Sequence, residues 1–89
     1  MEEKLINILL IEDNSADVRL VKELLKKSKD LNYKLTSNSR LSESLNSLHT
    51  NDYDIILLDL KLPDSERDYT LERILNATKN IPIVILTGL

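Results

Sequence analysis

The chain has 89 residues, a formal net charge of −3 at pH 7 and no cysteine. This length suits one small domain, and the acidic balance argues against the basic surface typical of nucleic-acid binding. Without cysteine there is no disulfide and no thiolate metal site. No apolar run reaches the roughly 20 residues that span a bilayer, and the acidic first residues do not resemble a signal peptide. We therefore expect a cytoplasmic protein without direct contact to nucleic acid or membrane.

The first half of the chain predicts two strands and two helices. Residues 6–12 form an apolar run typical of a strand inside a parallel sheet. Asn14 or Ser15 caps a helix that runs to about residue 28. Residues 33–37 predict a short edge strand, and Ser39 caps a second helix that ends near residue 50. The side chains predicted to face inward are Ala16, Val18, Leu20, Val21, Leu24 and Leu25 in the first helix and Leu41, Leu45 and Leu48 in the second.

The second half repeats the alternation of strand and helix. Residues 54–60 predict an interior strand, and 61–65 predict a loop. A third helix covers 66–78, and a fourth strand covers 81–87. The helix residues predicted to face the sheet are Leu71, Ile74, Leu75 and Ala77. The order β-α-β-α-β-α-β predicts an α/β doubly wound fold with right-handed crossovers.

Three carboxylates follow two of the predicted strands. Glu12 and Asp13 end the first apolar run, and Asp59 ends the third strand. Since ligands bind beyond the carboxyl ends of parallel strands, we expect these side chains to converge at one edge. Close anions repel one another unless a cation lies among them, and oxygen ligands suit Mg²⁺. A solvated turn or a helix cap remains an alternative for Asp13, as does a loop cap for Asp59.

Three segments of the chain resemble the receiver domain of two-component response regulators. They are residues 8–14, 54–64 and 83–88, and their order and spacing fit that family. The resemblance implies a flavodoxin-like fold, in which the parallel sheet normally has the strand order 2-1-3-4-5. This chain would have four strands, in the order 2-1-3-4, and three helices. Residues 1–89 would form a receiver domain that lacks the fourth helix, the fifth strand and the fifth helix.

The resemblance also implies a role for individual residues. Asp59 would accept a phosphoryl group from a histidine kinase or a phosphotransfer protein in a phosphorelay. Glu12, Asp13 and Asp59 would hold Mg²⁺, together with the backbone carbonyl of Lys61. Thr87 would hydrogen-bond the phosphoryl group as the switch hydroxyl. Such a transfer mainly requires a positioned nucleophile and a cation that neutralises developing charge.

Two departures from the family pattern motivate an alternative function. The family carries a Lys after the fifth strand, and many members carry a Gly near the position of Arg67; this chain has neither at those places. It would then be a phosphorylation-deficient interaction module or a fragment of a longer regulator. The apolar fourth strand would form an exposed edge, so we expect a homodimer or larger assembly through that edge.

A hydrolase is the third class considered. Haloacid-dehalogenase-like phosphatases also place an Asp after a parallel strand and bind Mg²⁺, but they need a second Asp two residues later as general acid. Lys61 occupies that position here. We therefore expect the chain not to be an enzyme, because no general acid is available at that place.

Overall fold

The computed structural model describes residues 4–86, which form a four-stranded parallel sheet with helices on both faces. None of the helices within these residues is both long and apolar enough to cross a membrane. The sheet has the order β2-β1-β3-β4, which confirms the predicted fold. In chain order the elements are β1 (Ile6–Ile11), α1 (Ser15–Lys26), β2 (Tyr33–Asn38), α2 (Leu41–Thr50), β3 (Ile55–Asp59), α3 (Arg67–Ala77) and β4 (Ile83–Leu86).

The register of the sheet brings the carboxyl ends of its strands to one edge. Ile11, the last residue of β1, lies opposite Asn38 of β2 and Leu58 of β3. Asp59, the last residue of β3, lies opposite Leu86 of β4. Each polar residue that ends or follows one of these strands therefore emerges at the same edge.

The main core lies on one face of the sheet, beneath α2 and α3. Right-handed crossovers place these two helices together, because both connections run in the same direction across the sheet. Alternate residues of the strands point to this face. The buried cluster consists of Leu9, Ile11, Leu41, Ile56, Leu58, Leu62 and Ile74.

Helix α1 lies on the opposite face, since its connection runs in the other direction. Ile8 and Leu10 of β1 are buried there, and Val21 is the buried residue of α1. Ala16, Leu20 and Leu24 were predicted to face inward but are exposed. The apolar stripe of α1 is therefore wider than the surface it covers in residues 4–86.

The starts of the first two helices differ in how they are capped. Of the two predicted caps of α1, Asn14 is the one used: its Oδ1 accepts the N–H groups of Ala16 and Asp17 at 2.9 and 3.2 Å. The predicted cap of α2 is wrong: Ser39 donates instead to the Glu43 carboxylate at 3.2 Å. The position before α2 is Arg40, and within the described residues its side chain makes no capping hydrogen bond.

Helix α3 buries fewer of its apolar residues than the sequence predicts. Ile74 is fully buried and Leu71 packs against the core, as expected. Leu75 is 53% exposed and Ala77 is exposed, so both predictions are wrong. The polar residue Thr70 is buried in their place. Its hydroxyl donates to the Glu66 carbonyl one turn earlier at 2.7 Å. The helix is therefore rotated relative to its predicted inward face.

Two neighbouring residues of α3 test this orientation. We expect Ile74→Ala to lower the free energy of unfolding by about 2–5 kcal/mol, because it leaves a cavity in the core. Leu75→Ala should lower it by less than about 1 kcal/mol, because that side chain is already half in solvent. Urea unfolding followed by circular dichroism measures both. Equal losses would contradict the orientation of the helix.

Candidate metal centre

Three carboxylates converge at the carboxyl edge of the sheet. Glu12 and Asp13 directly follow β1, and Asp59 is the last residue of β3. One carboxylate oxygen from each lies within 4.8 Å of the other two. Glu12 is buried, Asp59 is half-buried and Asp13 is exposed, so the cluster extends from the protein interior to solvent. The structure thus brings together the carboxylates that the sequence analysis singled out.

Glu12 is held in place by the backbone around it. Its N–H donates to the Asn38 carbonyl at 3.0 Å, which continues the pairing of β1 with β2. One of its side-chain oxygens, Oε2, accepts the Asn14 N–H at 3.2 Å. The side chain is only 3% exposed, an unusual position for a carboxylate. The backbone of Glu12 is therefore held by β2, and its carboxylate is held by the Asn14 amide.

The surroundings of Glu12 disfavour its charged form. Burial is the main cause that raises the pKa of Glu12 from 4.5 to about 7, and the Asn14 amide opposes it. A hydrogen bond with Asp59, together with the negative charges of Asp59 and Asp17, raises the pKa further. This site accumulates negative charge that a bound cation would neutralise.

Asp59 is oriented by the loop that follows it. Its Oδ1 accepts the backbone N–H of Lys61 at 3.0 Å. This contact spans two residues and resembles an Asx turn. The carboxylate is thereby fixed relative to the start of the loop, with Glu12 and Asp13 beside it.

The carboxylate cluster fits a hard divalent cation. Two oxygens on opposite sides of one Mg²⁺ are about 4.2 Å apart, given metal–oxygen distances of about 2.1 Å. Oxygens that lie within 4.8 Å of one another are close to that spacing. The donor set consists of carboxylate oxygens only, which suits Mg²⁺ better than metals that prefer nitrogen or sulfur.

Two further residues were assigned roles from the resemblance. The Lys61 side chain is exposed, and its backbone N–H bonds Asp59; a role for its carbonyl stays a prediction. Thr87 lies outside the described residues. Leu86, the residue before it, is the register partner of Asp59 in the neighbouring strand.

Asp64, a loop residue without a role predicted from the sequence, caps α2. Its Oδ1 accepts the Leu41 N–H at 2.7 Å, and its Oδ2 accepts the Ser42 N–H at 3.0 Å. These two amides, that of Ser42 first, lower the pKa of Asp64 below its ordinary value. No local pattern predicts this contact, because more than 20 residues separate the partners. The one signal in the sequence is Arg40 at the cap position of α2, since an Arg side chain cannot accept the helix N–H groups.

Comparison with known proteins decides the family. The response regulator receiver domain matches residues 8–89 of the chain. The chain belongs to this family. The family and the fold predicted from the sequence are therefore confirmed, and the acidic edge lies in a receiver domain.

The curated relatives of this receiver domain are considerably longer than it. The cell cycle transcriptional regulator CtrA of Caulobacter vibrioides is 41% identical over 81 residues, which are 91% of this chain and 34% of that protein. The cell cycle response regulator CtrA of Brucella ovis is 43% identical over 83 residues, covering 92% of this chain and 34% of that protein. The chain thus spans about a third of the length of these relatives.

Solved receiver domains share the fold. The receiver domain of the sensor histidine kinase PA1611 from Pseudomonas aeruginosa, which has a magnesium ion coordinated in its active site cleft, matches with a TM-score of 0.77 and 28% identity. The match covers 94% of this chain and 68% of that one. The non-phosphorylated HemR receiver domain from Leptospira biflexa matches with a TM-score of 0.72 and 31% identity, covering 90% and 62%.

The raised pKa of Glu12 predicts a pH dependence of stability in the absence of divalent cations. The folded-state pKa is above that of the unfolded chain, so the stabilising contribution of Glu12 is fully present below pH 4.5. It is lost as the pH rises through about 7. The melting temperature of the parent protein relative to Glu12→Gln should therefore fall over this interval.

Thermal melts of both proteins in chelator, at several pH values across this interval, measure the difference. The Gln variant is the matched control because it keeps the size of the side chain and cannot ionise. A difference in melting temperature between the two proteins that stays the same at every pH would contradict the raised pKa.

Proposed function

We propose that this chain is a signalling receiver that accepts a phosphoryl group on Asp59 in a two-component phosphorelay. The donor would be a histidine kinase or a phosphotransfer protein. The observation that carries this proposal is the convergence of Glu12, Asp13 and Asp59 at the carboxyl edge of the sheet, in a chain of the receiver family.

Mg²⁺ is the proposed cofactor, held by Glu12, Asp13, Asp59 and the Lys61 carbonyl. The carboxylate spacing and the all-oxygen donor set support this choice. The magnesium ion in the active site cleft of the PA1611 receiver domain supports it as well. When bound, the cation would neutralise charge that develops on the phosphoryl oxygens.

The proposed reaction places the nucleophile on Asp59. A carboxylate oxygen attacks phosphorus, and an O–P bond forms while the bond between phosphorus and the donor breaks. The electron pair of the broken bond leaves with the donor, and Asp59 becomes an acyl phosphate. The Lys61 N–H, 3.0 Å from Asp59 Oδ1, holds the carboxylate in one orientation during the attack. Thr87 is proposed to hydrogen-bond the transferred group.

The CtrA relatives are about three times the length of this chain, and the function proposed here is that of a receiver domain. A cytoplasmic location and a role other than enzymatic turnover remain predictions.

Labelling by a small phosphodonor tests the proposed acceptor. We expect acetyl phosphate with Mg²⁺ to add one phosphoryl group to the protein, and Asp59→Asn to abolish the adduct because the nucleophilic carboxylate is gone. Intact-protein mass spectrometry measures the adduct. Asp52→Asn is the matched control, since Asp52 is an exposed carboxylate in the segment before β3, at the other end of that strand.

The contrary outcomes are distinct. Undiminished labelling of Asp59→Asn would place the acceptor elsewhere. Absence of labelling in folded parent protein would favour the interaction module over the phosphoacceptor.

A second candidate function is the pairing of two copies through β4. This strand lies at one end of the sheet order, and within residues 4–86 it pairs with β3 alone. Val84 is 44% exposed, and Ile85 beside it is exposed as well. An apolar edge strand of this kind favours association with another chain.

Sedimentation velocity at micromolar concentration tests this pairing. We expect a dimer or larger assembly, and we expect Val84→Lys to shift it towards the monomer because it adds a charge to the edge. Leu75→Lys is the control, since Leu75 is a similarly exposed apolar residue that belongs to α3 and not to the edge strand. A monomeric parent protein would refute the assembly.

A further inference from the structure

The N-terminus of α2 is capped by a residue from a different part of the chain. Asp64 lies in the loop between β3 and α3, and its two carboxylate oxygens accept the N–H groups of Leu41 and Ser42. The first turn of a helix leaves such donors without intrahelical partners. Charged acceptors form stronger hydrogen bonds than neutral ones, so this contact is a firm tie between loop and helix.

The loop that carries Asp64 also carries Lys61, whose amide contacts Asp59, the proposed phosphoacceptor. Lys61 bonds Asp59 and lies three residues before Asp64. Between them, Leu62 is buried in the main core, and its carbonyl accepts the Ser65 N–H at 3.2 Å. The segment from Asp59 to Asp64 is therefore short and compact. We expect a displacement of Asp64 to move the Lys61 amide, which bonds Asp59.

Asp64 completes a closed ring of contacts around the carboxylate cluster. Glu12 is bonded through its backbone N–H to Asn38, the last residue of β2. The chain runs from Asn38 through Arg40 into α2, whose first amides bond Asp64. From Asp64 the loop returns to Asp59, which lies beside Glu12. The contact of Asp64 is the link that joins the β2 side of this ring to the β3 side.

We propose that Asp64 is a positioning residue for the metal centre. By tying the loop after β3 to the start of α2, it fixes Lys61 and Asp59 relative to Glu12 and Asp13. The inference rests on the proposed function, since it assigns the cation to this edge. It adds a residue that touches neither the cation nor the phosphoryl group.

The experiment separates positioning from simple helix capping. Asp64→Ala removes both roles, whereas the double variant Arg40→Ser with Asp64→Ala gives α2 a local cap without restoring the tie to the loop. Asp64→Asn keeps one acceptor oxygen and is the conservative variant. Mg²⁺ affinity is measured by calorimetric titration of the full chain, at a temperature at which circular dichroism shows every variant folded.

We expect Asp64→Ala to bind Mg²⁺ about tenfold more weakly than the parent protein, as is common when outer contacts of a metal site are lost. The double variant should regain melting temperature but not Mg²⁺ affinity, and Asp64→Asn should lose less affinity than Asp64→Ala. Parent-like affinity in Asp64→Ala, or in the double variant, would overturn the inference and leave Asp64 as a helix cap.

Amide hydrogen exchange gives a second measurement that needs no metal. The Lys61 amide, which bonds Asp59, should exchange faster in Asp64→Ala and remain fast in the double variant. Unchanged exchange would overturn the positioning role. A parent protein that binds no Mg²⁺ would instead count against the proposed function, so the two failures are distinguishable.

Discussion

The register of β1 between its two neighbours is the constraint on which the site depends. Ile11 lies opposite both Asn38 and Leu58, so Glu12 leaves its strand beside the ends of β2 and β3. Side chains alternate between the faces of a strand, so a shift of one residue would move each apolar side chain to the wrong face. The buried residues Leu9 and Ile56 hold this register, and the position of the carboxylates follows from it.

The same register creates an electrostatic conflict at the edge of the sheet. Glu12 is buried next to Asp59, and its raised pKa shows that its charged form is disfavoured without a cation. An arrangement of this kind reduces stability in the metal-free protein, yet it provides ready ligands for a divalent ion. A trade-off between stability and binding is common at functional sites, where charged groups are buried against the usual preference.

The apolar pattern predicted the elements well because β1, β3 and β4 form continuous apolar runs and helices lie on both faces of the sheet. It predicted helix faces less well. Leu20 and Leu75 belong to apolar stripes, but each is exposed, because burial depends on what the neighbouring elements cover. Thr70 was not predicted to be buried because it is polar. Its hydroxyl bonds a carbonyl of its own helix, so the side chain can be buried with its hydrogen bond satisfied.

The sequence by itself determined the strands, the acidic residues that end them and a cap of α1 at Asn14 or Ser15. These features are local: a cap needs a partner only two or three residues away, and an apolar run acts on the chain that contains it. Only the tertiary structure decided that Asp64 caps α2 and which helix residues are buried. Those outcomes depend on how a loop packs against a helix more than 20 residues away in the sequence, which no local pattern encodes.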